Sequence, residues 1–115
     1  MSDCLFCKIA NGEIRTNFLY EDDLVVAFPD INPLTPTHVL VVPKKHYENI
    51  TDNVPAETLA AIAHAVKVVT EQTGIDKTGF RCITNTGDDG GQSVHHLHAH
   101  VLGGRKLDPN AGEGK

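Results

Sequence analysis

Tryptophan is absent and aromatic residues make up only 5% of the chain, which excludes a broad base-stacking platform for single-stranded nucleic acid. Positive charge is scarce as well. Ten Lys plus Arg stand against 15 Asp plus Glu, a formal net charge of −5. With no basic cluster, the chain is poorly suited to gripping a duplex backbone, so no nucleic-acid partner is expected. No apolar run approaches the roughly 20 residues of a membrane span, so no membrane partner is expected either. The start, Met1-Ser2-Asp3-Cys4, has no basic or apolar leader. Three cysteines are too few and too odd for a disulfide framework and point to a reducing, cytoplasmic location.

What remains, 115 residues with 40% apolar content, suits one small globular domain. It is read as residues 1–105, followed by a polar, Gly- and Pro-containing tail over 106–115 that is expected to be mobile. Leu59, Ile62, Val66 and Val69 recur at helical spacing between Pro55 and Gly74, which predicts one long helix. A short helix is predicted from Phe6 to Ala10. Short apolar runs predict strands at Phe18–Tyr20, Leu24–Phe28, His38–Val42, Phe80–Asn85 and His96–Leu102. Cys82, inside one of these runs, reads as a buried hydrophobe. The expected fold is α+β: a single antiparallel sheet of about five strands with one long and one short helix.

Histidine is the outlier. Four of the seven stand at 95, 96, 98 and 100. Side chains alternate faces along a strand, so His96, His98 and His100 share one face while Leu97, Ala99 and Val101 share the other. Three imidazoles in a row suit two chemistries. Neutral imidazole is a common metal ligand. It can also attack phosphorus while its neighbours hold phosphate oxygens. Thr86–Gln92, with Gly87, Gly90 and Gly91, lies just upstream. A Gly-rich turn there can bring backbone N–H groups close to an anion. Cys4-Leu5-Phe6-Cys7 is a C-x-x-C motif, which alone is ambiguous between redox chemistry and zinc.

The run Gln92-Ser93-Val94-His95-His96-Leu97-His98-Ala99-His100-Val101-Leu102-Gly103-Gly104 resembles the signature of the histidine triad family, and Asp30-Ile31-Asn32-Pro33, Pro36-Thr37-His38 and Pro43-Lys44-Lys45-His46 resemble further family segments in the expected order. The likeness runs from about Cys4 to Arg105 and is greatest to the Hint branch, the purine nucleoside phosphoramidate hydrolases. It implies a nucleotide hydrolase acting at the α-phosphorus of AMP conjugates, with His98 as nucleophile. His100 would hold phosphate oxygens, His96 and His38 would orient the site, and Ser93 would meet the leaving group. Phe6, Phe28 and Ile31 would line the base slot, Asp30 would take the ribose hydroxyls, and Asn85, Gly91, Gln92 and Ser93 would bracket the phosphate.

The resemblance also implies a homodimer, and catalysis that requires no cofactor. It further implies a structural zinc held by Cys4, Cys7, His46 and His96, with His95 the alternative fourth ligand. One departure from the pattern is a tail with no aromatic residue, which bears on the leaving-group side. The alternatives are a dinucleoside polyphosphate hydrolase of the Fhit type and a non-catalytic nucleotide- or zinc-binding interaction module.

Overall fold

A computed structural model of the protein describes residues 4–109. The elements in chain order are α1 (Leu5–Ala10), β1 (Tyr20–Glu21), β2 (Val25–Pro29), β3 (Thr37–Pro43), α2 (Ala56–Thr73), α3 (Ile75–Thr78), β4 (Phe80–Ile83) and β5 (Ala99–Gly103). The strands form one antiparallel sheet in the order β1-β2-β3-β5-β4. This is the expected α+β architecture. Among the described residues, no helix is long and apolar enough to cross a membrane.

The central strands read as unbroken apolar runs because both of their faces are covered. Val25, Ala27, Val39, Val41, Ala99 and Val101 pack under α2 with Ala65 and Val69. The alternate residues Val26, Phe28, Leu40 and Val42 pack under α1 with Phe6, Ile9 and Ala10. Pairing of His38 with Leu102 and of Leu40 with His100 sets the β3–β5 register. Because facing residues share a sheet face, His38 and His100 emerge on the α1 side with Leu40.

Local chemistry explains the ends of the elements. Asp22 Oδ1 accepts from the backbone N–H groups of Leu24 and Val25 at 2.8 and 2.9 Å, closing the β1–β2 turn. Gly74 ends α2 in the left-handed conformation at φ 82°, where a residue with a Cβ is strained. The chain then re-enters helix at once as α3, a single turn that the sequence reading lacks.

Four expectations are corrected. The histidine strand begins at Ala99 and not at His96, because the polar groups of residues 96–98 leave the ladder for other partners. The Leu97 N–H donates to the Tyr47 carbonyl at 2.7 Å, and the His98 carbonyl accepts from the Thr84 hydroxyl at 2.8 Å. The same hydroxyl contact helps end β4 at Ile83 rather than Asn85. Leu59 is 40% exposed, since α2 buries Thr58, Ala65, Val69 and Thr70 and leaves this one residue of the predicted stripe on its outer flank. Cys82 is exposed, because β4 is an edge strand.

Of the predicted tail, residues 110–115 lie outside the described residues. Within the described part, the Asp108 carbonyl accepts from the Arg81 guanidinium at 2.8 Å.

Candidate active site

A cavity of about 510 Å³ opens between α1, the end of β2 and the start of β5. Phe6, Phe28, Asp30, Ile31, Ser93, His98 and His100 all line it. Phe6 and Phe28 are buried and meet edge to face at 5.8 Å between ring centres, and Phe6 meets the His98 ring at 4.9 Å. Ile31 lines the rim and is 90% exposed.

Asn85, Gly91 and Gln92 do not line the cavity. The Gly91 N–H donates to the Asp88 carbonyl at 3.1 Å and the Gln92 N–H to the Gly87 carbonyl at 3.0 Å, both within the loop. Gln92 is buried, and its side chain accepts from Gly87 and donates to the carbonyls of Glu48 and Val94. Gln92 thus pins the Gly-rich loop to the segment after His46. Asn85 donates to the Gly90 carbonyl at 2.7 Å.

Arg15, Thr16, Ile14 and Leu40 also line the cavity and were not singled out in the sequence. Leu40 was hidden in a core strand. Arg15 sits in an irregular segment with no periodicity to mark it.

The hydrogen-bond partners fix the protons on the imidazoles. A backbone N–H can only donate, and the Leu34 N–H stands 3.0 Å from His38 Nδ1. The neutral His38 ring therefore carries its proton on Nε2. That nitrogen is 2.9 Å from His100 Nδ1, which accepts, so the His100 proton sits on Nε2. His98 Nδ1 lies 2.7 Å from the His96 carbonyl oxygen. A carbonyl only accepts, so the His98 proton is on Nδ1 and the lone pair is on Nε2. By the same logic, His96 Nε2–H donates to the Pro43 carbonyl at 2.8 Å and its Nδ1 carries a lone pair. The cavity thus presents one imidazole with a free lone pair, His98, beside one with a free N–H donor, His100.

Burial keeps these rings neutral. It lowers His98 below the ordinary histidine range, against the pull of its bond to the His96 carbonyl and of the nearby Asp30 carboxylate. Burial, with the neighbouring His98 and His38, brings His100 down to about 4. Burial likewise lowers His38, opposed by Asp30. A neutral His98 is the form that can act as a nucleophile.

His96 is fully buried and does not line the cavity. Its Nδ1 faces Cys4 Sγ at 3.2 Å and Cys7 Sγ at 3.4 Å, and Cys7 Sγ is 3.3 Å from His46 Nδ1. The donor atoms of Cys4, Cys7, His46 and His96 all lie within 4.8 Å of one another, close enough to share one ion. Each histidine of the group offers Nδ1 inward and uses Nε2 outward: His96 on the Pro43 carbonyl, and His46 on Glu48 Oε1 at 3.2 Å. Two sulfurs and two imidazoles so anchored are a donor set for tetrahedral zinc with its outer partners in place. His95 stands outside the group, exposed, with Nδ1 3.6 Å from Glu48 Oε2.

Asp30, His38 and His100 form a second close group of potential ligands. His38 is unsuited to a metal there, since its only lone pair is taken by the Leu34 N–H.

The chain is similar to known proteins over nearly its whole length. A family model described as "HIT domain" matches residues 11–107. The chain is 44% identical over 110 residues to the purine nucleoside phosphoramidase of Escherichia coli (strain K12), covering 93% of this chain and 92% of that one. Among solved structures, a histidine triad protein from Clostridium difficile is 49% identical with a TM-score of 0.89, over 96% of this chain and 98% of the other. A HIT family hydrolase from Legionella pneumophila Philadelphia 1 is 43% identical with a TM-score of 0.90, over 96% and 100%.

Proposed function

The chain belongs to the histidine triad (HIT domain) family and is a hydrolase of that family, and from this premise we propose that it cleaves purine nucleoside phosphoramidates at the α-phosphorus, releasing AMP. One observation carries the reading: His98 Nδ1 is tied to the His96 carbonyl at 2.7 Å, which aims a neutral Nε2 lone pair into the cavity.

In the proposed reaction, His98 Nε2 attacks the α-phosphorus and the P–N bond breaks. The amine leaves after taking up a proton, and the nucleotide is held as a nucleotidyl-histidine. Water then attacks phosphorus, giving up a proton, and the N–P bond to His98 breaks to free AMP. His100 Nε2–H would hold a phosphate oxygen as charge builds. Phe6, Phe28 and Ile31 would receive the base and Asp30 the ribose hydroxyls. Ser93 would meet the leaving group, and it also borders a neighbouring cavity of about 470 Å³ with room for that group.

The zinc belongs to the same reading. Cys4, Cys7, His46 and His96 would hold it as a structural ion, tying α1 to the segment before β5. Two thiols kept as ligands suit a reducing, cytoplasmic setting. A homodimer is supported by the edge strand β4, whose Phe80 is 42% exposed close to the exposed Cys82.

Steady-state hydrolysis of an adenosine phosphoramidate tests the proposal. Wild type should turn over, while His98→Ala should bind AMP without turnover. Equal rates from both proteins would overturn the assignment of His98. A faster rate on a dinucleoside polyphosphate than on the P–N substrate would move the reading to P–O–P chemistry.

A further inference from the structure

Among the residues that line the cavity, Arg15 is the only Lys or Arg and Asp30 the only carboxylate. Arg15 is exposed, and among the described residues no hydrogen bond or ion pair occupies its guanidinium. Strand register gives its place relative to the imidazoles. Phe28 pairs with Leu40 and Leu40 with His100, so the three form one row across β2, β3 and β5 on the α1 side. Neighbouring strands stand about 4.8 Å apart, which puts the Phe28 position about 10 Å from that of His100.

Arg15 belongs to the connection from α1 to β1. The Ile14 N–H donates to the Lys8 carbonyl at 3.2 Å, and the Leu19 N–H donates to the Ala27 carbonyl at 2.7 Å, on the edge of β2 away from β3. Phe18, between these two ties, meets Phe28 at 6.4 Å between ring centres. The lining therefore runs from His100 over Leu40 and Phe28 to Arg15 and Thr16 at the opposite end.

We infer that Arg15 reads position 6 of the purine and makes the site prefer guanine to adenine. A nucleotide with its phosphate on His98 and His100 and its base over Leu40 and Phe28 turns the far edge of the base toward Arg15 and Thr16. The apolar walls serve the faces of the base, but its edge needs polar partners. Arg15 can only donate. Guanine offers two acceptors side by side, O6 and N7, which the flat guanidinium fork can meet together. Adenine offers N7 beside an amino group, so one arm of the fork would face a second donor. The Thr16 hydroxyl can donate or accept and favours neither base. Arg15 is thus a specificity residue remote from the reacting atoms, and adenine nucleotides still bind through the walls, the sugar and the phosphate.

This inference rests on the nucleotide reading above and names its base. Calorimetric titration with AMP, GMP and IMP tests it, because IMP carries the 6-oxo group of guanine without the 2-amino group. GMP and IMP should both bind about tenfold more tightly than AMP, a modest ratio for a bidentate base contact because water reaches this end of the cavity. Arg15→Met keeps an unbranched stem, loses the fork and replaces an exposed side chain. It should bring the three affinities within about twofold of one another, by weakening GMP and IMP while AMP stays where it was. AMP binding as tightly as GMP in wild type would overturn the assignment, and so would a preference for GMP that IMP does not share. An equal loss for all three nucleotides in Arg15→Met, the mark of a cation that attracts only the phosphate, would overturn it as well. Each of these leaves the nucleotide reading intact, whereas failure of all three to bind would overturn both.

Discussion

His98 Nδ1 and the His96 carbonyl oxygen are 2.7 Å apart, so the nucleophile proposed here is oriented by main chain rather than by another side chain. Replacing His98 and replacing His96 should therefore differ in kind. His98→Ala should lose at least about 1000-fold in kcat. His96→Asn keeps the carbonyl but loses the ring bond to Pro43, and should cost about 2 kcal/mol of stability with a smaller loss of rate. Parallel melting curves and single-turnover rates on the two variants separate these effects.

Phe6 stands between α1 and the sheet, against both Phe28 and His98. Phe6→Ala removes a buried ring and should destabilise by about 3 to 4 kcal/mol. It also opens the wall behind the base slot, so KM for an adenosine substrate should rise. Denaturant titration and initial rates check both, and an unchanged midpoint would show that the ring is not needed for packing.

The acid side of the stability profile should carry the mark of His100. Its folded value is about 4, lowered by burial and by His98 and His38, against an ordinary 6.5. Between those values the unfolded chain binds the proton and the folded chain does not. The contribution is complete above pH 6.5 and is lost as pH falls toward 4, amounting to about 3 kcal/mol. Unfolding free energies of wild type and His100→Gln, measured from pH 7.5 down to pH 4, should converge by roughly that amount.

If Cys4, Cys7, His46 and His96 hold zinc, the purified protein should contain one zinc per chain by elemental analysis. Cys7→Ser should abolish it. The N-terminal segment should then lose protection in hydrogen exchange, because Cys7 in α1 and its N-cap residue Cys4 contribute the two sulfurs. Full metal content in the serine variant would point to ligands elsewhere.

The outer side of β4 is a row of backbone groups with Phe80 and Cys82 alongside. A charge placed there should oppose pairing with a second copy. Phe80→Glu should shift the sedimenting species from dimer to monomer at micromolar concentration, and a wild type that sediments as a monomer would remove the dimer altogether.

Much of this fold was legible because its signals are local. Pro55 and Gly74 bracket α2 by backbone chemistry, and the Val-rich runs could only be strands covered on both sides. The rotation of α2 was not legible, since it depends on how closely Ala65 approaches the sheet, which no spacing records. The start of β5 was hidden for another reason. His-Leu-His-Ala-His alternates as a strand does, but Leu97 and His98 give their backbone groups to Tyr47 and Thr84, far off in the chain. The side chain of Gln92 was equally silent in the sequence, since its bonds to Gly87, Glu48 and Val94 depend on how the Gly-rich loop meets the segment after His46. The grouping of Cys4 and Cys7 with His46 and His96 came from family resemblance, because two long-range contacts cannot be read from a C-x-x-C.

The pairing of His38 with Leu102 and of Leu40 with His100 has a consequence for anyone who would transplant this chemistry. A slip of one residue between β3 and β5 would send one of the two imidazoles to the opposite face, into the valines beneath α2. The same slip would bring Ala99 and Val101, or Val39 and Val41, to the cavity side in its place. Misfolding and loss of the site are thus one event, and a donor scaffold must supply the strand register along with the histidines. Copying the motif alone onto a new sheet would reproduce its letters without the partner imidazole that His100 needs.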